Sequence, residues 1–357
     1  MTKLLTISIP TWNRAALLNE LLSSICSDLL LLNIDSQVQL LVSNNASDDP
    51  TEEVVMKYKE KYNFISYNKN TSNIGAKSNV LKSMELAETP YVMFIGDDDR
   101  LNVGNILPAL KILASEPGIG VLIDTCRSKF HSSKSRINVA ELAANFYWYM
   151  GNAGYFITKV SYIRKGLSEK GYDFFNECWP HTQLMLLGLC DCKDSCFAEM
   201  YELPSQSSHG DVMIYSSYYL WRTVVYDLRI SAETIRDEIG NEVYLAAMLN
   251  MKRSCWQNFL NILQCGVFID TPGDRIRTTD HIKQNLNLFI GKEKVLYMTI
   301  YMILKLPAWI SKMLSNIFIL LLKGNAGIKK KNNFVKAELL KRHKKQNRSV
   351  RMLEFET

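Results

Sequence analysis

Apolar positions along the first third of the chain alternate between two rhythms. LLTISIP (4–10) is a short apolar, β-branched run that stops at a proline, the pattern of a buried strand. AALLNELLSSICSDLL follows with apolar residues at helical spacing. VQLLVSNN (38–45) is a second strand that ends in polar residues. Ser47 and Asp48 can cap the helix that begins near DPTEEVVMKYKEKY, with Asp49-Pro50 at its start. FISYN (64–68) reads as a third strand, GAKSNVLKSMELAE (75–88) as a helix, and YVMFIGDDD (91–99) as a fourth strand. NILPALKILASEP (105–117) is then a helix and IGVLID (119–124) a strand.

Strand-helix alternation of this kind predicts an α/β fold with a mostly parallel sheet flanked by helices. Ligands of such sheets sit at the carboxyl ends of the strands. Thr11-Trp12-Asn13-Arg14, Asn44-Asn45 and Asp97-Asp98-Asp99 each fall at such an end, so three separate segments aim polar residues at one edge.

The rhythm loosens over 125–215, which holds the aromatic stretch NFYWYMGNAGYFIT and the segment NECWPHTQLMLLGLC. Residues 216–290 pattern as amphipathic helices. KVLYMTIYMILKLPAWISKMLSNIFILLLKG (294–324) is dense in large apolar residues, but Lys305, Pro307 and Lys312 interrupt it. No uninterrupted run reaches the ~20 residues of a spanning helix. Two interfacial helices broken near Pro307 fit the pattern, and Lys329-Lys330-Lys331 and KRHKKQNR (341–348) would draw them to anionic lipid. The expected organisation is therefore a first half-domain at 1–125 and a second at 126–215. A helical region at 216–290 and a membrane-associating, basic C-terminal part at 291–357 follow.

Composition refines this picture in two places. The net charge is +6 over 357 residues. Residues 323–357 hold eleven Lys/Arg and three Glu, which leaves the remainder slightly acidic. The basic character is local and argues against a nucleic-acid-binding body. MTKLLTISIP lacks the parts of an export signal, so the eight cysteines are expected to be reduced. Cys190, Cys192 and Cys196 are too irregularly spaced for a zinc cluster.

The acidic triplet carries the sharpest chemistry. Adjacent carboxylates repel unless solvent or a cation relieves them, and a divalent metal would in turn bind phosphate oxygens. A solvated turn whose aspartates cap a helix is the alternative. A nucleotidyltransferase on a similar sheet would want a glycine-rich loop after the first strand, which SIPTWNRAA lacks. A non-catalytic scaffold would place its function in the tail.

SIPTWNR, VSNNASDD (42–49), NTSNIGAKSN (70–79) and YVMFIGDDDRL (91–101) resemble, in order and spacing, the donor-site blocks of family 2 glycosyltransferases, which have the GT-A fold. GNAGYFITK (151–159), Trp179-Pro180-His181 and His209-Gly210-Asp211 are similar to the O-antigen subset that includes abequosyltransferase. The resemblance implies inverting sugar transfer from a nucleotide-sugar donor, with Mn2+ or Mg2+, to a lipid-linked glycan in surface polysaccharide synthesis. It also implies a cytoplasmic enzyme, peripheral on the inner face of the cell membrane. By the same resemblance Pro10, Thr11 and Arg14 line the nucleotide pocket, and Asn44 stands where the family usually has an acid that reads the base. Asn45 and Asp48 share that loop, and Asn73, Gly75 and Asn79 approach the nucleotide-sugar. The family's D-x-D would put its first acid at Gly96 and its second at Asp98. Asp98 is thus the foremost metal ligand, with Asp97 and Asp99 beside it. His209 could ligate metal or touch phosphate, or be an ordinary loop histidine.

The acceptor hydroxyl needs a general base. Glu177 has the chemistry of the usual family acid. His181 has the better unshifted pKa and occupies the matched position in the abequosyltransferase-like subset. Trp148, Tyr149 and Tyr155 could stack on sugar, although aromatic-rich segments are more often core.

Overall fold

The computed structural model describes residues 3–116, 118–124, 136–192, 196–200, 205–207 and 216–354. Its strands, numbered in chain order, are β1 Leu5–Thr11, β2 Val38–Asn44, β3 Ile65–Lys69, β4 Tyr91–Phe94, β5 Asp99–Leu101, β6 Ile119–Asp124, β7 Arg136–Ile137, β8 Phe156–Lys159, β9 Cys196–Met200 and β10 Ser205–Ser207. The helices that flank them are α1 Ala15–Leu31, α2 Thr51–Lys61, α3 Ala76–Glu85, α4 Ile106–Ser115, α5 Val139–Phe146, α6 Val160–Lys170 and α7 Pro180–Asp191.

Among the described residues, eight strands form one sheet in the order β3-β2-β1-β4-β8-β6-β9-β7. Neighbours from β3 to β4 pair in parallel, β8 runs antiparallel to both β4 and β6, and β9 is parallel to β6. The sheet is therefore parallel from β3 through β4 and mixed beyond it, and the expected strand at 119–124 lies in the mixed part. β1 lies in the middle with every residue but Pro10 buried, as a strand covered on both faces requires. Its polar members are satisfied sideways: Thr6 donates to Gln39 Oε1 at 3.0 Å, and Ser8 to Ser83 Oγ at 2.6 Å. α1 presents Leu18, Leu21, Leu22, Ile25 and Leu29 to this core at helical spacing.

The strand expected over 91–99 ends at Phe94. A tight turn follows, in which Asp99 N–H donates to Gly96 O at 3.1 Å. β5 then leaves the main sheet and pairs antiparallel with β10, Asp99 opposite Ser207. Elsewhere the expected elements are found with ends shifted by a few residues.

The chain divides into two units that cut across the expected segments. The first holds residues 1–208 and 230–250, the second 209–229 and 251–357. The second unit is helical. Pro272–Asn285 starts on a capping box between Thr271 and Asp274. Gly291–Lys305 and Ala308–Glu354 are separated at Pro307, as the sequence predicted, and the latter has a break at Gly324 with φ 60°. The basic segment after Lys331 is helical rather than an extended tail. Trp221, Phe259, Phe289, Tyr297 and Ile300 fill this unit's core. Arg229 and Glu293 form an ion pair inside it at 2.9 Å. The carbonyls freed at the Pro307 break are taken up by Arg275, which donates to Leu304 O at 2.7 Å, and by Ser311 Oγ, which donates to Ile303 O at 2.7 Å.

Candidate active site at the strand ends

The parallel register brings the three polar strand ends together. Ser8 pairs with Phe94 and Thr11 with Asn44. Extending the first pairing by three residues places Thr11 beside Asp97, and Thr11 Oγ1 indeed donates to Asp97 Oδ2 at 2.7 Å. Arg14, at the entrance to α1, donates to Asp97 Oδ1 at 2.7 Å and stands 3.4 Å from Asp98 Oδ2. Asp97 is buried, and burial pushes its carboxyl up from the ordinary range even against the pull of Arg14 and Thr11. Asp99 accepts the Gly96 N–H at 2.8 Å, and burial lifts it further, to about 6.

The three adjacent carboxylates thus do different things. Asp97 is clamped by the first strand's loop, and Asp99 closes its own turn. Asp98 keeps its side chain 28% exposed. Glycine at 96 belongs to this arrangement, because a Cβ there would stand 2.8 Å from Asp98 Oδ1 and 3.1 Å from Asp99 Oδ2. Among the described residues no three His, Cys, Asp or Glu side chains converge on a point that could cage a metal. One exposed carboxylate flanked by a second is a donor set for a hard cation that takes its other ligands from phosphate and water. That fits a metal shared with a diphosphate and does not fit a protein-enclosed one. His209, also expected as a ligand, lies outside the described residues, as does Asp211.

The asparagines predicted to meet the nucleotide mostly serve the loops themselves. Asn45 spends its whole amide within the protein: Nδ2 donates to Asn73 Oδ1 at 2.9 Å and Gly75 O at 3.3 Å, and Oδ1 accepts from Asn70 Nδ2 and Ile74 N at 3.0 Å. Asn79 takes Ser43 Oγ and Asn70 Nδ2 on its oxygen and donates to Ser43 O. Asn44, fully buried, accepts from Ser47 N and donates to Tyr67 OH. Together they hold the 70–75 loop, where Gly75 has φ 84°, against β2. Asn13, at φ 53°, joins the loops after β1 and β2 by donating N–H to Ser47 Oγ and accepting from Asp48 N. Pro10 is half-buried near the end of β1, while Asp48 and residues 73–75 are exposed.

Sequence reasoning missed two residues here. Asp49 caps two helices at once, accepting from Ala15 N at 2.9 Å and from Thr51 N at 3.2 Å. Lys77, nearly buried on α3, makes an ion pair with Glu177 at 2.8 Å and donates to Phe175 O at 3.3 Å. Asp49-Pro50 before a helix was a visible capping signal. Nothing in the sequence pairs positions 77 and 177.

The two candidate bases occupy opposite surroundings. Asn176 shapes the turn before α7: its N–H donates to Gln183 Oε1 at 2.7 Å and its Oδ1 accepts from Cys178 N. Glu177 stands on this turn with its side chain 65% exposed. His181 is 3% exposed, stacked on Phe156 and edge-on to Phe94. Its Nε2 bonds Gly151 O at 3.1 Å, and Nδ1 has no hydrogen-bond partner. Burial pushes the ring down to about 4, partly offset by the Gly151 and Met150 carbonyls. Trp148 and Tyr149 pack edge to face as neighbours, half-buried like Tyr155.

Two stability predictions arise from this packing. Between pH 6.5 and about 4 the unfolded chain binds a proton at His181 that the native chain refuses. The associated stability, on the order of 3 kcal/mol, is present above pH 6.5 and lost as pH falls. Urea denaturation at pH 7 and pH 5 should show the drop, and His181→Gln should show a smaller one; equal drops would assign the titration to another group. Gly151 is the second case. A Cβ built there overlaps the Trp179 ring. Gly151→Ala should lower stability by roughly 1–3 kcal/mol in the same assay, whereas an unchanged midpoint would mean that the ring moves freely.

With this geometry in place, the chain can be set beside known proteins. Residues 6–170 match the family model Glycosyl transferase family 2. Over 99 residues the chain is 40% identical to the abequosyltransferase RfbV of Salmonella typhimurium, covering 28% of this chain and 29% of that one. Over 97 residues it is 36% identical to an uncharacterized glycosyltransferase of Mycoplasma genitalium, covering 27% and 32%. The chain therefore spans about three tenths of the length of the curated relatives it matches. S. aureus TarS 1–349 superposes at a TM-score of 0.51 with 13% identity, over 85% of this chain and 90% of that one. A TarS structure in complex with UDP-GlcNAc superposes at 0.50. The fold is a GT-A α/β fold with a helical C-terminal region.

Proposed function

Taking the family 2 glycosyltransferase match of residues 6–170 as the premise, we propose that the chain is an inverting glycosyltransferase. It moves a sugar from a nucleoside-diphosphate sugar to a hydroxyl of a lipid-linked glycan, in synthesis of an O-antigen-like surface polysaccharide at the inner face of the cell membrane. The observation that carries the reading is the convergence at one sheet edge: Thr11 and Arg14 clamp Asp97, which leaves Asp98 beside them half-exposed.

Asp98, with Asp99 next to it, would hold Mn2+ or Mg2+, and His209 remains a further candidate ligand. The metal, when bound, offsets the charge that grows on the departing diphosphate. This chain's own residues do the rest. The exposed edge formed by Pro10, Asp48, Asn73 and Gly75 borders the nucleotide. The Asn44, Asn45 and Asn79 amides fix that edge in place rather than touch the ligand. Arg14 keeps a cation beside Asp97 and Asp98 and so lets three carboxylates share a small volume. Glu177, exposed on the acceptor side, takes the proton of the attacking hydroxyl. His181 packs among Phe94, Phe156 and Trp179.

A donor panel tests the reading. UDP-, GDP-, dTDP- and CDP-sugars are titrated with Mn2+ or Mg2+, and binding and hydrolysis are followed. The expectation is metal-dependent binding of one nucleotide class with slow sugar release. A chain that binds no nucleotide would sink the proposal, and nucleotide transfer without sugar release would replace it by a nucleotidyltransferase.

A further inference from the structure

The helices on either side of Pro307 bury one face and leave the other uncovered. Leu296, Tyr297, Ile300, Ile303 and Leu304 enter the core of the second unit, and Ile319 does the same from the next helix. On the opposite side of that next helix, Trp309, Met313, Ile317, Leu320 and Leu321 are exposed, Trp309 at 69% and Leu321 at 77%. At 100° per residue they fall within one arc of about 120°, running about 18 Å from Trp309 to Leu321. Lys312 and Lys323 lie along one edge of that arc by the same phase. The preceding helix exposes a stripe of its own, Val295, Met298 and Met302, and Ile290 just before it is 71% exposed.

Charge says what such a face meets. Residues 286–336 hold nine lysines and a single acid, Glu293, which is buried against Arg229. Lys305 approaches Asp280 at 3.9 Å and Lys331 donates to Asn316 at 2.9 Å; Lys312 and Lys323 are exposed. A second copy would set like charge against like. A nucleic acid would meet the lysines but strand the apolar arc. An anionic bilayer surface satisfies both at once, with apolar side chains below the headgroups and ammonium groups among them. Among the described residues no helix is long and apolar enough to cross a membrane, which agrees with a helix lying in the surface plane.

We propose that residues 308–323 dock on anionic phospholipid through the Trp309–Leu321 face, with Lys312 and Lys323 at the headgroups. Neither sugar donor nor acceptor enters the test, so its outcome is independent of the transfer reading. The full chain is sedimented with vesicles of phosphatidylglycerol and phosphatidylcholine, and with phosphatidylcholine alone. Binding is expected to the mixed vesicles, weakening as salt rises, with a blue shift of tryptophan emission. Trp309→Ser with Ile317→Ser should lower partitioning about a hundredfold, as two large apolar side chains at about tenfold each require. Lys312→Gln with Lys323→Gln should lower it about tenfold or more at low salt. All four positions are exposed, and unchanged circular dichroism checks that the variants fold. The proposal is overturned if mixed vesicles are not bound, or if the Trp309/Ile317 variant partitions like the parent. It is overturned equally if that variant dissolves a dimer formed without lipid, which would make the face a contact between copies.

Discussion

Asp98→Ala should slow sugar transfer by about a thousandfold, roughly 4 kcal/mol of barrier, while leaving the fold intact. The three carboxylates are not equivalent, and the expectation follows from how they differ. Asp97 has both oxygens committed, one to Thr11 and one to Arg14. Asp97→Asn therefore takes from Arg14 the nearer of its two carboxylates and should lower stability together with activity. Asp99 is tied to the Gly96 N–H, so its loss loosens the turn. Asp98 is the more open of the two carboxylates at Arg14, 28% exposed against 5% for Asp97, and its contact with Arg14 is the longer one at 3.4 Å. Its loss should therefore appear in the metal dependence. Initial rates over a Mn2+ titration, set beside a thermal melt, separate these cases. An Asp98→Ala enzyme within tenfold of the parent at saturating Mn2+ would remove the metal from the proposed site.

Much of the parallel part of the sheet was legible because parallel sheets write themselves plainly. β1, β2 and β4 are largely apolar runs buried on both faces, and β1 and β2 end where polar residues begin. Their shared edge follows from the alternation alone. The turn after Phe94 was not legible. Whether Ile95-Gly96-Asp97 continues a strand depends on Asp99 N–H reaching Gly96 O and on β10 pairing with β5, a contact to residues more than a hundred positions away. The asparagines were legible by position, but their hydrogen bonds to the loops were not, because an amide at a strand end suits a ligand and a loop equally well. The network around Asn45 is visible only once the 70–75 loop is placed against β2. His181 shows the same limit from the other direction. α7 is buried on nearly every side, including Thr182 and Gln183, so its sequence offers no polar face to say where a first-turn histidine points.

That placement bears on the second large effect. Glu177→Gln should lower kcat by about 10²–10⁴ with donor affinity unchanged, whereas His181→Gln should act chiefly on stability. A base must meet the acceptor hydroxyl and hold its proton. Glu177 is open to solvent, so an acceptor hydroxyl can reach it directly, and its protonation costs the Lys77 ion pair but creates no new charge. His181 is walled in by Phe94, Phe156 and Trp179, and protonation would create a cation among those rings. Lys77 adds a positional argument. It sits in the first turn of α3, just after the loop that Asn45 holds against β2, and its ammonium reaches Glu177 at 2.8 Å. Glu177 is thereby tied to the helix that follows the 70–75 loop, and under the proposed function a shift of that loop on donor binding would be felt at the proposed base. Steady-state kinetics beside donor titrations of the two variants decide the matter. If Glu177→Gln keeps its kcat while His181→Gln loses turnover at unchanged donor affinity and unchanged stability, the proton passes to the imidazole, and the aromatic wall must open when the acceptor binds.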